Sequence, residues 1–323
     1  MGRFLRSEQI DESTVGVYLV TSRTISECGL LEDLSHRGYR RRFPKRELER
    51  RLERLAGIFA IDVLDYSIEE QFVHLMLRNR PDLVTQWPDE EVARRRLQYK
   101  RSNLNLGPKP SFDQIMRFCA DREKVAQTRR KLSSMSEFLA GMKQAVAVAV
   151  NSQLDRVGMF WIARFRVTGL SNTAALLACH LYMGLNPILA GRAARIEESK
   201  FTSAFARLQD ELTGGGERLL SGWLTPVHLD GDGYSGVAVD RRASDHGFLN
   251  MTFPWTLQFL DVIAEYERRS KQYPRAAERP QYPPLLAGLG ISMDQWEAAI
   301  RQMSDLFNRE VSIMKRFSPQ AVC

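Results

Sequence analysis

Hydrophobic and polar positions change their period several times along the chain. Gly16 to Thr24, GVYLVTSRT, is rich in β-branched and aromatic residues and predicts a first strand. Pro44 to Ala56 switches to a helical repeat that puts Leu48, Leu52 and Leu55 on one face. Ile58 to Ile68 alternates, with Phe59, Ile61 and Val63 directed one way and Ala60, Asp62 and Leu64 the other. Phe72 to Asn79 alternates again. Asp89 to Lys100 predicts a basic helix with an acidic first turn. Ser134-x-x-Glu137 is a capping box opening a helix to about Leu154. Phe160 to Thr168 returns to period two, placing Trp161, Ala163, Phe165 and Val167 on one face and Arg164 and Arg166 on the other. Asn172 is a good N-cap for the helix that follows, TAALLACHLYMGL.

The order is strand, helix, strand, strand, helices, strand, helix. It predicts an α+β fold, a ferredoxin-like antiparallel sheet with helices on one side. Residues 1–200 read as that core. From about 201 to 323 the chain reads as a mostly helical C-terminal extension with a loop-rich linker. Its helices are expected over about Trp255 to Ser270 and Met293 to Lys315. DGDGYSG is a loop and not a calcium site: counted from Asp230, Tyr234 and Arg241 fall where oxygen ligands are required.

Composition adds mostly exclusions. The 323 residues, 44% hydrophobic and 26% charged, suit an ordinary globular chain with a sizeable core. No apolar run reaches the roughly 18 residues of a membrane span, and MGRFLRSEQIDES lacks the apolar centre of a secretory signal. Cys28, Cys119, Cys179 and Cys323 lie far apart, which fits a reducing, cytoplasmic setting rather than a disulfide scaffold or a zinc ribbon.

Charge is more informative. The chain is +7 overall, and Arg37 to Arg54 holds nine basic residues against three acidic ones. Arg37, Arg40, Arg41, Arg42, Lys45 and Arg46 lead that window, the footprint of a polyanion partner. A solvated helix face laced with i,i+4 pairs explains the same residues equally well.

Candidate chemistry centres on SIEEQFVHLMLRNRPD, Ser67 to Asp82. Glu70, Phe72, His74, Met76 and Arg78 share strand parity. His74 alone among apolar residues reads either as a core histidine or as half of a metal site. On the later helix Tyr182 and Asn186 are four apart and share a face, while His180 is directed away from them. Pro187 disfavours helical backbone at Asn186. Tyr182 by itself reads as packing.

YSIEEQFVHLMLRNRPD resembles the strand of the single-tyrosine transposases of the insertion-sequence 200-like and REP-associated class, the HUH nuclease-like group. In that family the strand carries Asn-His-hydrophobic-His-hydrophobic. ACHLYMGLNPILAG is similar to the family's Tyr-x-x-hydrophobic-Asn-Pro-x-x-Ala-Gly helix, GMFWIARF to the strand before it, and VYLVTSR to its first strand. The resemblance covers most of the chain in the right order. It implies Tyr182 as the nucleophile that attacks a DNA phosphate, with His74 and Asn186 as ligands of Mg or Mn. A bound metal would draw charge from the phosphate, which a phenol with a pKa near 10 attacks poorly unaided.

The first ligand histidine of the pattern is Phe72 here, and a phenyl ring cannot bind a metal. Gln71 stands at the family's asparagine. Glu70 is the candidate replacement ligand, one pleat further along the strand and in need of a bulge to reach the same ion.

The resemblance therefore implies DNA transposition chemistry on single-stranded or hairpin DNA, with cleavage weakened or lost and no membrane partner. A homodimer is one assembly the family allows. Arg78, Arg80, Arg164 and Arg166 join the basic window as phosphate contacts. Trp161 and Phe165 read as core. Three function classes stay open: an active transposase, a DNA-binding protein without cleavage, and a relic fold serving protein interaction.

Overall fold

Strands β1 (Gly16–Arg23), β2 (Ile61–Ile68), β3 (Phe72–Asn79) and β4 (Arg166–Gly169) form one antiparallel sheet in the order β2-β3-β1-β4. The computed structural model describes residues 10–25, 44–153, 155, 157–162, 164–214, 221–229, 241–272 and 283–316, with the side chains of 266–272, 283–285 and 308–316 outside that description. The helices are α1 (Pro44–Ala56), α2 (Pro81–Gln86), α3 (Asp89–Gln98), α4 (Phe112–Cys119), α5 (Arg122–Leu132), α6 (Met135–Gln153), α7 (Thr173–Leu189), α8 (Ser203–Leu212), α9 (Phe253–Gln272), α10 (Pro283–Gly288) and α11 (Met293–Arg316). None of the described helices is long and apolar enough to cross a membrane.

Helices cover both faces of the sheet, not one as the sequence suggested. Tyr18, Val20, Val63, Tyr66, Val73, Leu75 and Leu77 pack against α1 and α6. Leu19, Leu64 and Met76 pack on the opposite side, with residues of α7, α9 and α11. The reason lies in β2 and β3, whose residues are all buried. Strands with apolar groups on both faces need cover on both. Residues beyond 200 thus share a core with the sheet. Phe259, Trp296, Met303 and Phe307 belong to the same apolar cluster as Leu19 and Met76.

α1 forms where its leucines predict. Leu48, Leu52 and Leu55 are wholly buried, each contributing about 1.5–3 kcal/mol of transfer free energy. Arg51 is buried on the same helix, donating from Nε to the Gly141 carbonyl at 3.3 Å and from Nη2 to the Lys100 carbonyl at 2.9 Å. Burial lowers its pKa to about 10. Arg54 likewise donates to the Leu104 carbonyl at 2.7 Å. Two of the window's cations are therefore structural.

β4 is shorter than the alternation of Phe160 to Thr168 predicts. Thr24 bridges to Trp161, whereas Thr21 pairs with Arg166. Five steps on one chain face three on the other, so two extra residues interrupt the ladder. Parity survives the interruption: Phe165 and Val167 pack on the core as expected, Trp161 donates from Nε1 to the Lys143 carbonyl at 2.9 Å, and Arg166 takes the other face. Asn172 caps α7 through the Ala175 amide at 2.9 Å, and the helix continues through Pro187 to Leu189. Ser134 accepts from the Glu137 amide at 3.4 Å at the start of α6.

Candidate functional site

β3 is the inner strand that carries His74, with Thr21 of β1 on one side and Ser67 of β2 on the other. All three side chains share a face, the one that α7 crosses. Thr21 Oγ1 lies 3.3 Å from His74 Nδ1. The imidazole is 2% exposed. Burial, with Arg192 nearby as a second cause, lowers its pKa to about 3. The ring is neutral near pH 7.

Tyr182 projects from α7 toward the same place. Phe307 of α11 lies against both: its ring centroid is 4.8 Å from that of His74 and 5.5 Å from that of Tyr182, in the latter case nearly parallel. Phe72 stacks on the other side of His74 at 6.0 Å, and the Arg23 guanidinium lies 5.5 Å from the Phe72 ring centre. The fold thus brings His74 and Tyr182, over a hundred positions apart in sequence, onto one phenyl ring.

One turn on from Tyr182, Asn186 is buried and donates to Ser67 Oγ at 3.4 Å; Ser67 in turn donates to Glu69 Oε1 at 3.1 Å. Glu70 is not on β3. It sits in the β2–β3 turn, closed by the Glu69 amide donating to the Phe72 carbonyl at 2.8 Å. The bulge in this hairpin lies on β2, between Val63 and Asp65, so nothing brings Glu70 back toward His74. Its carboxylate pairs instead with Arg192 and, at 3.6 Å, with Lys45. Arg192 also pairs with Glu69.

This donor set does not fit Mg or Mn. These hard ions take oxygen ligands, carboxylates above all; the positions the resemblance assigns carry one imidazole, one amide and a phenyl ring at Phe72, and the nearby carboxylates of Glu69 and Glu70 are engaged by Ser67, Arg192 and Lys45. Among the described residues no group of three or more His, Cys, Asp or Glu stands close enough to hold a metal.

Beneath α7, His180 faces away from Tyr182 as its position on the helix predicts, and enters a buried polar network. His180 Nδ1 lies 2.5 Å from Asp65 Oδ2 and Nε2 lies 3.2 Å from Thr256 Oγ1. Asp65 Oδ1 accepts from Ser203 and from Arg207 Nη1, each at 2.6 Å. Burial alone would raise the Asp65 carboxyl, but His180 and Arg207 outweigh it and hold its pKa below the usual carboxylate value. Every member is buried, and the network ties α7, α8 and α9 to β2, with Arg207 at the edge of a cavity of about 340 Å3.

The arginines expected to meet phosphate divide in two. Arg78 and Arg80 are buried on Asp62. Arg78 Nη2 lies 2.6 Å and Arg80 Nη1 3.2 Å from its Oδ2, while Arg78 also donates to the Gly247 carbonyl at 3.0 Å. They anchor the chain around Ser244 to the end of the sheet and do not rim a surface. Arg46, Arg164 and Arg166 are exposed. Arg37, Arg40, Arg41 and Arg42 lie outside the described residues, as do DGDGYSG, Cys28 and Cys323.

Sequence reasoning missed Phe307 and Arg192. Phe307 was visible only as one apolar position on a long amphipathic helix, four residues after Met303, with nothing to say which part of the sheet it would meet. Arg192, beyond the tyrosine helix, carried no signal until the fold set it beside Glu69 and Glu70.

No family model matches the chain, and no curated protein does. Among solved structures the chain is similar to one described as a REP-associated tyrosine transposase bound to a REP hairpin, at 12% identity and a TM-score of 0.38, covering 66% of this chain and 87% of the other.

Proposed function

We propose that this chain is a DNA-binding protein built on a transposase-like core of the single-tyrosine class, acting on single-stranded or hairpin DNA, in which tyrosine-mediated strand cleavage has been lost. The observation that carries the reading is the convergence of His74 and Tyr182 on Phe307. Two motifs that resemble the family in sequence meet at one point of the fold, as a cleavage site requires. At that point the first histidine of the pattern is Phe72, and the phenyl ring of Phe307 lies against both His74 and Tyr182. The sheet order β2-β3-β1-β4 with helices after β1 and β3 is that of a ferredoxin-like layer, which supports the family's core.

In this reading a strand meets the protein through exposed cations, Arg46, Arg164 and Arg166 among them. A divalent metal has no part in the binding, and a homodimer is one assembly such a protein can form.

A labelled DNA hairpin and its single-stranded arm, titrated with the full chain, test this. Binding tighter than roughly 1 μM at moderate salt, unchanged by EDTA, with no covalent protein–DNA product after Mn2+ is added, is the expected result. A covalent product that disappears in Tyr182→Phe would show that cleavage is retained. No binding in that range would remove DNA as the ligand.

A further inference from the structure

A second basic region lies away from His74, on helices α2 to α5 between β3 and α6. Residues 81–132 hold twelve basic residues against seven acidic ones. Arg117, Arg122, Lys124, Arg130 and Lys131 are exposed there, enough like charge on one lobe to concentrate anions near it.

At the base of this lobe is a cavity of about 520 Å3, bounded by α3, the approach to α4 and residues 242–245. Its size is that of a small-molecule site. Trp87, Pro110 and Ile115 give it an apolar wall, and Arg94, Arg95, Lys109 and Arg242 bring positive charge. Two acids line it as well. Glu91 pairs with Arg94 at 2.6 Å and Arg95 at 2.5 Å, and Asp245 pairs with Arg242 Nε at 2.6 Å. Four cations against two carboxylates leave the lining positive.

Arg242 is the telling residue. Its side chain is 5% exposed and its Nη1 donates to the Leu224 carbonyl at 2.9 Å, yet its Nη2 has no hydrogen-bond partner among the described residues. It also lines a second cavity, of about 340 Å3. That N–H is sealed from solvent, so what Arg242 offers an anion in the cavity is its charge, held in a site of low dielectric.

We propose that the larger cavity binds a mononucleotide, free or at the 5′-phosphorylated end of a strand. The phosphate answers the surplus charge of Lys109 and Arg242. The flat, largely apolar base answers the wall of Trp87, Pro110 and Ile115. A bare anion would use the first feature and leave the second without purpose. The site stands apart from Tyr182 and does not depend on the DNA reading above.

The test uses the full chain and four probes: a short single strand with a 5′-phosphate, the same strand with a 5′-hydroxyl, deoxyadenosine monophosphate, and inorganic phosphate. Binding of the phosphorylated strand or of the mononucleotide should exceed that of the hydroxyl strand or of inorganic phosphate, respectively, by roughly ten- to a hundredfold. A preference seen with the strand alone assigns the source as a strand end, and one seen with the mononucleotide assigns the free nucleotide. Arg242→Met also removes the bonds to Asp245 and Leu224, so Lys109→Glu, at an exposed position, is the cleaner variant and should abolish the preference. The proposal is overturned if neither preference is seen or if Lys109→Glu retains the preference. Hairpin DNA bound equally with and without its 5′-phosphate, together with no preference for the mononucleotide over inorganic phosphate, would overturn this site while leaving the proposed function standing.

Discussion

Phe307 stacks on Tyr182 with ring centroids 5.5 Å apart and planes inclined by 11°, so the phenol of the tyrosine helix is read by a residue of the chain's own last helix. The same phenyl ring reaches His74. Removing it opens a cavity beside both rings. Phe307→Ala is expected to destabilise the protein by about 3–5 kcal/mol, and Phe307→Leu by clearly less. Urea denaturation of the two variants checks the order. Equal stability of Phe307→Ala and the parent would mean that α11 does not seat this ring.

His74 gives the fold a pH dependence with a definite sign. Its folded pKa, about 3, lies below the ordinary histidine value of 6.5 because burial disfavours the charged ring. The unfolded chain therefore binds a proton more readily between those two values. Stability from this residue is complete above about pH 6.5 and is lost as the pH falls toward 3. Between pH 7 and pH 5 the loss is about 2 kcal/mol. His74→Gln should lose less than the parent over that interval by this amount, measured as the difference in unfolding free energy at the two values.

The sheet was legible in the sequence because alternation and β-branched residues mark strands directly; β3 spans Phe72 to Asn79 as its pattern indicates. Asn172 and the leucines of α1 were legible for the same local reason. What sequence could not resolve was partnership. Arg78, Arg80 and Arg51 look like phosphate ligands in a linear chain, and only the fold sets Asp62 beside the first two and a backbone carbonyl beside the third. Glu70 shares strand parity with His74 on paper, but the turn begins before Phe72 and removes it. The second layer of helices went unseen because the apolar residues of β2 and β3 were assigned to one face at a time.

Asp65 and Arg207 provide a test of the buried network under α7. Their 2.6 Å contact is buried, with the arginine 7% and the carboxylate 0% exposed. Arg207→Leu leaves the carboxylate with fewer partners in a low-dielectric site and should cost about 3–5 kcal/mol. The pair between Arg241 and Glu53, 2.7 Å apart but 30% and 41% exposed, is the contrast: Arg241→Leu should cost under about 1 kcal/mol. Chemical denaturation of both variants at neutral pH makes the comparison, and similar losses would show that burial does not set the strength of these pairs.

Arg164 and Arg166 are exposed at the β4 end of the sheet, and Arg166 shares the face of Thr21 and His74. Each phosphate neutralised on a single strand contributes about 0.7 to the slope of log affinity against log salt. If these two residues hold a strand there, Arg164→Ser with Arg166→Ser should lower that slope by about 1.4 and weaken binding at low salt more than at high salt. Replacing Arg78 would not serve as the comparison, since it would release Asp62 and disturb the fold. Lys131→Ser is suitable, being exposed on α5 and remote from β4 in sequence. A slope unchanged in the double variant but lowered by Lys131→Ser would move the strand off this end of the sheet and onto the basic helices.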